Sequence, residues 1–207
     1  MSKHKIHVVN NNLSNIGSIL RMLNEHSIEV VVTSSAEELS KASKLILPGV
    51  GHFRKGSERL DELEIRDVLT YLALKKGIPI LGICLGMQML FDSSAEAEEE
   101  VKGLSLVAGR CEKIIPGPYN LKIPHMGWNN VLAAKNSVLL KGISDPRFYF
   151  VHSYHAVSSE KEVIVGTAEY GQSITAVIEA ENIMGTQFHP EKSHKFGKAL
   201  FHNFVNI

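Results

Sequence analysis

Ile78-Pro79-Ile80-Leu81-Gly82-Ile83-Cys84-Leu85-Gly86-Met87-Gln88-Met89-Leu90 decides how the chain is read. Its first half is an apolar run of strand length, opened by the punctuating Lys75-Lys76-Gly77. Glycines stand two residues before and two residues after Cys84. That is the spacing of a nucleophile elbow with Cys in place of Ser: a buried strand, a sharp turn, then a helix. The turn strains the nucleophile's backbone, and side chains two residues to either side would collide, which glycine avoids. The sulfur is left exposed at the top of a sheet and at a helix N-terminus, where unpaired N–H groups and the dipole favour an anion. A free thiol titrates near ~8.5, so a basic partner is needed to make thiolate abundant at neutral pH. Each unit of depression corresponds to about 1.4 kcal/mol.

Outward from this stretch, strands and helices alternate. Residues 6–9 read as a first buried strand, and Asn10-Asn11-Asn12-Leu13-Ser14-Asn15 as a turn. Ile16, Ile19, Leu20 and Leu23 then recur at helical spacing. Residues 28–33 are β-branched and read as a second strand, and Ser35-Ala36-Glu37-Glu38 has the capping-box pattern of a short helix. Residues 45–47 form a third strand, stopped by Pro48-Gly49-Val50-Gly51. Across 57–76, Leu60, Ile65, Val68, Leu69 and Leu72 predict one helix. This alternation argues βαβ units and a parallel sheet, whose ligands sit at the carboxyl ends of the strands. Cys84 and Pro48–Gly51 both fall there.

After about residue 93 the pattern changes. Glu96, Glu98, Glu99 and Glu100 predict a solvated acidic loop. Residues 104–107, 109–115, 149–154, 163–168, 174–178 and 184–188 read as strands, with turns at Pro116-Gly117-Pro118, Gly171 and Glu181-Asn182. Helices are scarce here, so this half is expected to extend the sheet with antiparallel strands. Phe196, Leu200 and Phe204 mark a C-terminal helix. No repeat, linker or low-complexity segment interrupts the 207 residues, which are expected to form one domain, 1–207.

Composition removes several function classes. With 22 basic and 22 acidic residues the formal charge is zero, which argues against a nucleic-acid binder driven by phosphate neutralisation. No run approaches the ~18 apolar residues of a membrane span. The N-terminus lacks a signal-peptide core, and two cysteines make no disulfide framework. A cytoplasmic, reducing setting is expected, without membrane association. No Gly-x-Gly-x-x-Gly follows the first strand, so a Rossmann nucleotide site is not expected.

A cysteine nucleophile needs a base, and the base an orienting acid. Among ten histidines, Phe188-His189-Pro190-Glu191 stands out: His189 follows a strand end, Pro190 stiffens the exit, and Glu191 is near enough to hold the imidazole. Spacing leaves His125 and His152 open as bases. Cys111 carries no motif and reads as structural.

Together, Gly82-Ile83-Cys84-Leu85-Gly86-Met87-Gln88 and Phe188-His189-Pro190-Glu191-Lys192-Ser193 resemble class I (triad) glutamine amidotransferases. Pro48-Gly49-Val50-Gly51 is similar to that family's oxyanion segment. Pro124-His125-Met126-Gly127-Trp128-Asn129 and Val151-His152-Ser153-Tyr154 narrow the resemblance to glutaminase subunits of imidazole glycerol phosphate synthases. The resemblance implies a three-layer α/β fold with a central, mostly parallel sheet and an antiparallel extension. It implies a Cys84–His189–Glu191 triad that hydrolyses L-glutamine through a γ-glutamyl thioester, with no metal or cofactor. Backbone N–H groups of Leu85 and of Gly49, Val50 and Gly51 would hold the oxyanion. Gly51, Gln88, His152, Ser153 and Tyr154 would line the glutamine pocket. The implied partner is a (β/α)₈ cyclase that receives ammonia through a protected passage and makes imidazole glycerol phosphate and AICAR in histidine biosynthesis. Asn15, Trp128 and Lys192 would face it.

One turn departs from the family pattern. Where a Gly-x-Gly-Asn turn is usual, this chain has Asn12-Leu13-Ser14-Asn15; Asn12 tolerates a positive φ and so can keep the backbone path. The tail Lys192-Ser193-His194-Lys195-Phe196-Gly197 also resembles paralogues thought to supply ammonia for amidino-sugar formation in surface-polysaccharide biosynthesis. A stand-alone γ-glutamyl cysteine hydrolase is a further alternative. A non-catalytic regulatory subunit is disfavoured by the intact Cys84, His189 and Glu191.

Overall fold

The apolar run around Leu81 becomes the strand at the middle of the molecule. The computed structural model describes residues 5–26, 28–96, 101–118, 120–134 and 136–207. The first half comprises β1 (Lys5–Val9), α1 (Ile16–Leu23), β2 (Glu29–Thr33), α2 (Ala36–Leu39), β3 (Leu45–Gly49), α3 (Phe53–Glu62), α4 (Arg66–Leu74), β4 (Ile80–Cys84) and α5 (Leu85–Gln88). Then follow β5 (Phe91–Ser94), β6 (Val101–Lys102), β7 (Val107–Lys113), β8 (His125–Asn130), β9 (Leu132–Ala133), β10 (Arg147–His152), β11 (Tyr154–Ser158), β12 (Ile164–Glu169), β13 (Ser173–Ala180), β14 (Ile183–Thr186) and α6 (His194–Val205).

The main sheet has the order β2-β1-β3-β4-β14-β13-β12-β9. The first five strands in that order are parallel, and the rest add antiparallel. Side chains alternate between the two faces of a strand, and here both faces are covered. Leu45, Leu47 and Ile80 pack with Leu60, Leu69 and Leu72 of α3 and α4. Ile46, Leu81 and Ile83 pack on the other side with Ile19 and Leu23 of α1 and Leu200, Phe201 and Phe204 of α6. Helices, sheet and helices make three layers, which is why the central strands read as unbroken apolar runs rather than as alternation. Among the described residues no helix is long and apolar enough to cross a membrane.

Several expectations are corrected. The helix expected over 57–76 is two, α3 and α4. Glu64 takes φ 54°, and Ile65 N–H turns back to Leu60 O at 3.1 Å, closing α3. Arg66 ties the break: its guanidinium donates to both Asp61 carboxylate oxygens (2.6 and 3.0 Å), Gly103 O (2.7 Å) and Ser57 Oγ (2.9 Å). Arg66→Ala strips these partners of one donor set and is expected to lower stability by about 2 kcal/mol, read from the urea midpoint.

The third strand does not stop before Pro48. It runs through Gly49, which pairs with Cys84, and the Pro48 carbonyl accepts from Asn11 Nδ2 at 2.8 Å. The helix after Cys84 is a single turn, because the chain re-enters a strand at Phe91. Residues 104–106 are not a strand. The run 149–154 breaks at Ser153, where the chain passes from one sheet to another. In the second half only β9, β12, β13 and β14 extend the main sheet; β10-β8 and β11-β7-β5-β6 form two smaller ones. Glu98, Glu99 and Glu100 lie outside the described residues. Glu96 is not solvated: its side chain is 17% exposed and accepts from Phe53 N–H at 2.6 Å.

Candidate active site

Cys84 ends β4 with φ 53° and ψ −109°, a conformation that L-residues rarely adopt, and is nearly buried. The close packing behind it explains the flanking glycines. A Cβ on Gly82 would lie 2.7 Å from Gly86 O and from the Met87 backbone, and one on Gly86 would overlap the Leu47 carbonyl oxygen of β3. Only a hydrogen at each position lets β4 turn straight into α5. Leu85 then opens α5, where first-turn N–H groups lack intrahelical partners.

The neighbouring strand brings up the candidate base. β14 pairs in parallel with β4, and the chain leaving it through Gln187 and Phe188 reaches His189 beside Cys84. The imidazole is buried, and Nδ1 lies 2.7 Å from Glu191 Oε1. Pro190–Lys192 is a 3-10 turn that brings the carboxylate back under the ring. His189 N–H donates to Tyr149 O (2.9 Å), and Ser193 Oγ–H donates to His189 O (2.6 Å), so the main chain is fixed from both sides. Nε2 has no hydrogen bond of full geometry among the described residues, and the Cys84 sulfur acts on the ring both as a charge and as a hydrogen-bond acceptor. Burial alone would lower the imidazole pKa. The Cys84 sulfur and then Glu191 outweigh it and lift His189 to about 10, favouring the imidazolium.

His125 and His152 are engaged by other partners. His152 Nδ1–H donates to Tyr154 O at 2.8 Å and its Nε2 meets His125 Nδ1 at 3.1 Å. Burial holds His152 at about 3 and His125 at about 4, so both stay neutral. His125 is stacked between Phe150 and Tyr170, at 4.6 and 4.0 Å between centroids, as a wall of the site. The buried Cys111 thiol is pushed far up, and Cys111 takes no part.

A cleft of about 300 Å³ opens on Cys84, lined by Val50, Gly51, Leu85, Gln88, Glu96, Pro124, Val151, His152, Ser153 and Tyr154. A larger cleft, about 610 Å³, lies at the opposite ends of β4 and β14, around Gly77 and Asn182, and holds none of the triad. One oxyanion expectation needs correction. Val50 N–H donates to Leu13 O at 2.6 Å and is not free for the cleft, while Gly51 takes φ 99°. Leu13 belongs to the turn in which Asn12 takes φ 59°.

Trp128 and Lys192 come together through Tyr149. Trp128, 40% exposed, stacks on His194 at 5.6 Å and meets Tyr149 edge-on at 6.4 Å, and Lys192 Nζ lies 5.9 Å from the Tyr149 ring centre. Asn15 caps α1, accepting from Ser18 N–H at 3.4 Å, and α1 packs on the Pro190–Lys192 turn. Residues missed by the sequence reading are Asn11, Glu96 and Gln187. The signal for Gln187 was present: it is an amide inside an otherwise apolar run beside His189.

The glutamine amidotransferase class-I family model matches residues 7–207. The chain belongs to the class-I glutamine amidotransferase family. Among its relatives in this family is a Methanococcus maripaludis protein named imidazole glycerol phosphate synthase subunit HisH 2, 42% identical over 97% of this chain and 98% of that one. A Leptospira borgpetersenii protein named imidazole glycerol phosphate synthase subunit HisH is 43% identical over 95% of each chain. The fold is also that of a chain in the structure of PurLQS from Thermotoga maritima, with TM-score 0.72 and 20% identity over 99% of this amidotransferase and 98% of that chain.

Proposed function

We propose that this chain is the glutaminase subunit of an imidazole glycerol phosphate synthase, acting in the cytoplasm with residues 1–207 as one amidotransferase domain. The observation that carries this is near full-length similarity to proteins bearing that subunit's name. In the reaction, Cys84 Sγ attacks the side-chain amide carbon of L-glutamine and the carbonyl electron pair moves onto oxygen. Leu85 N–H holds that oxyanion, joined by the Gly49–Val50–Gly51 segment once Val50 N–H has been released from Leu13 O; one such donor is worth about 100- to 1,000-fold in rate. His189, as imidazolium, delivers its proton to the nitrogen as the C–N bond breaks, releasing ammonia and leaving the γ-glutamyl thioester. His189 then takes a proton from water, which attacks the acyl carbon. The C–S bond breaks, glutamate leaves, and the electron pair returns to sulfur. Glu191 keeps Nδ1 protonated and the ring aimed. Gly51, Gln88 and the His152-Ser153-Tyr154 segment hold the glutamine.

Free ammonia is mostly protonated at neutral pH and lost to solvent, so the product goes to a partner. A (β/α)₈ cyclase covering the Asn15, Trp128 and Lys192 face takes the ammonia into imidazole glycerol phosphate and AICAR formation for histidine biosynthesis. Neither nucleic acid nor membrane is engaged. The commitment of Val50 N–H to Leu13 O supports partner dependence, because that turn lies beside Asn15 on the docking side. Glutamine hydrolysis is expected to be slow for the chain alone and to rise by about tenfold or more with the cognate cyclase and its ligand, the size of an ordinary coupling between two sites. Equal turnover with and without the partner would instead make the chain a stand-alone hydrolase.

A further inference from the structure

Gln187 is fully buried between the nucleophile and the pocket. Its side-chain nitrogen lies 3.8 Å from Cys84 Sγ, and its oxygen 3.0 Å from Gln88 Nε2. The orientation of this amide follows from a single atom, the backbone oxygen of Tyr154, which can only accept. Two groups meet it: Gln88 Nε2 at 2.8 Å and His152 Nδ1 at 2.8 Å. Both must therefore donate. With nitrogen fixed as the inner atom of Gln88, the atom of Gln187 that faces it must be oxygen. The Gln187 NH₂ is thereby turned onto the sulfur. The same step fixes the histidines: neutral His152 accepts at Nε2 from His125 Nδ1–H, and His125 Nε2 accepts from Asn129 Nδ2 at 3.2 Å. The main chain is held as well, since Gln187 N–H donates to Ala176 O at 2.9 Å.

We propose that Gln187 is a positioning residue for the nucleophile, its carboxamide N–H donating to the Cys84 sulfur and holding the anion in register with His189. A donor aimed at sulfur favours the thiolate over the thiol, because only the anion is a strong acceptor. It serves the second half of the reaction too. When water opens the thioester, the electron pair of the C–S bond returns to a sulfur that already faces an N–H group. Gln88 and Gln187 then divide the work: the first fixes the amide and lines the pocket, the second touches the sulfur.

The inference rests on Cys84 being the nucleophile. Its test does not need glutamine turnover. Gln187→Met keeps the length of the side chain and removes the donor, while Gln187→Glu keeps the shape and places a carboxylate against the sulfur. The full chain is alkylated with iodoacetamide at pH 7, with Cys84→Ala as the blank for Cys111. Alkylation is expected to slow about tenfold or more in Gln187→Met, as for a lost hydrogen bond to a charged group, and further in Gln187→Glu. With the cyclase present, kcat for glutamine falls by a similar factor and KM moves by less than about threefold. Alkylation within twofold of wild type in a folded variant, or a loss confined to KM, overturns the proposal. Should Gln187→Met not fold, the rate of Gln187→Glu decides in the same way. Slowed alkylation supports it even where the wild type proves to hydrolyse no glutamine, so the two readings fail separately.

Discussion

Cys84→Ala is expected to abolish glutamine hydrolysis, by roughly 10⁴-fold or more, while leaving the chain folded. The factor follows from removing a covalent nucleophile: what remains is water positioned by binding and by the oxyanion donors, which in comparable triads leaves a residue of activity. The fold should hold because the sulfur fills little volume and its polar contacts are a long one to the Gln187 amide and the one to His189, neither of which ties secondary structure together. Alanine takes over the φ of 53°, the strain already present. Glutamate release in the presence of the partner reads activity, and circular dichroism reads the fold. Retained glutaminase activity in this variant would end the assignment of Cys84, and with it the roles of His189 and Glu191.

Gly86→Ala is expected to act on stability instead, costing more than about 3 kcal/mol or preventing folding, as an overpacked core does when no flexible atom can yield. The added methyl overlaps the Leu47 carbonyl oxygen, main chain in the middle of a parallel sheet. Relief needs β3 and α5 to part, which would move Gly49 and Leu85 away from each other. The control is Gly17→Ala in α1, where a Cβ meets only Asn15 Oδ1 at 3.8 Å and should be neutral or slightly stabilising. Urea unfolding measures both. A Gly86→Ala protein within 1 kcal/mol of wild type would contradict the close approach of strand and turn.

The elbow and the parallel sheet were legible because their signals are local. Gly82, Cys84 and Gly86 constrain one another within a few residues, and a strand covered on both faces writes an apolar run. Ser153 was illegible for the opposite reason. Residues 149–154 hold no glycine, proline or acidic residue, so nothing there marks the change of sheet. The break at Glu64 was hidden because Leu60, Leu69 and Leu72 face the same core before and after it. At the site, His189 and Glu191 could be paired by their spacing. The choice among histidines needed the tertiary partners, since His152 is spoken for by Tyr154 O and His125. The direction of the Val50 N–H could not be read either: a peptide between two glycines takes its orientation from what Leu13 offers, not from residue type.

Cys84 and His189 are carried by adjacent strands, Cys84 at the end of β4 and His189 just beyond β14, that are synthesised far apart in the chain. β14 slots between β4 and β13, long after β4 has left the ribosome. Until that late strand inserts, a nascent polypeptide carries Cys84 without His189 beside it. Cys84, His189 and Glu191 are thus brought together only in a molecule whose central sheet is complete.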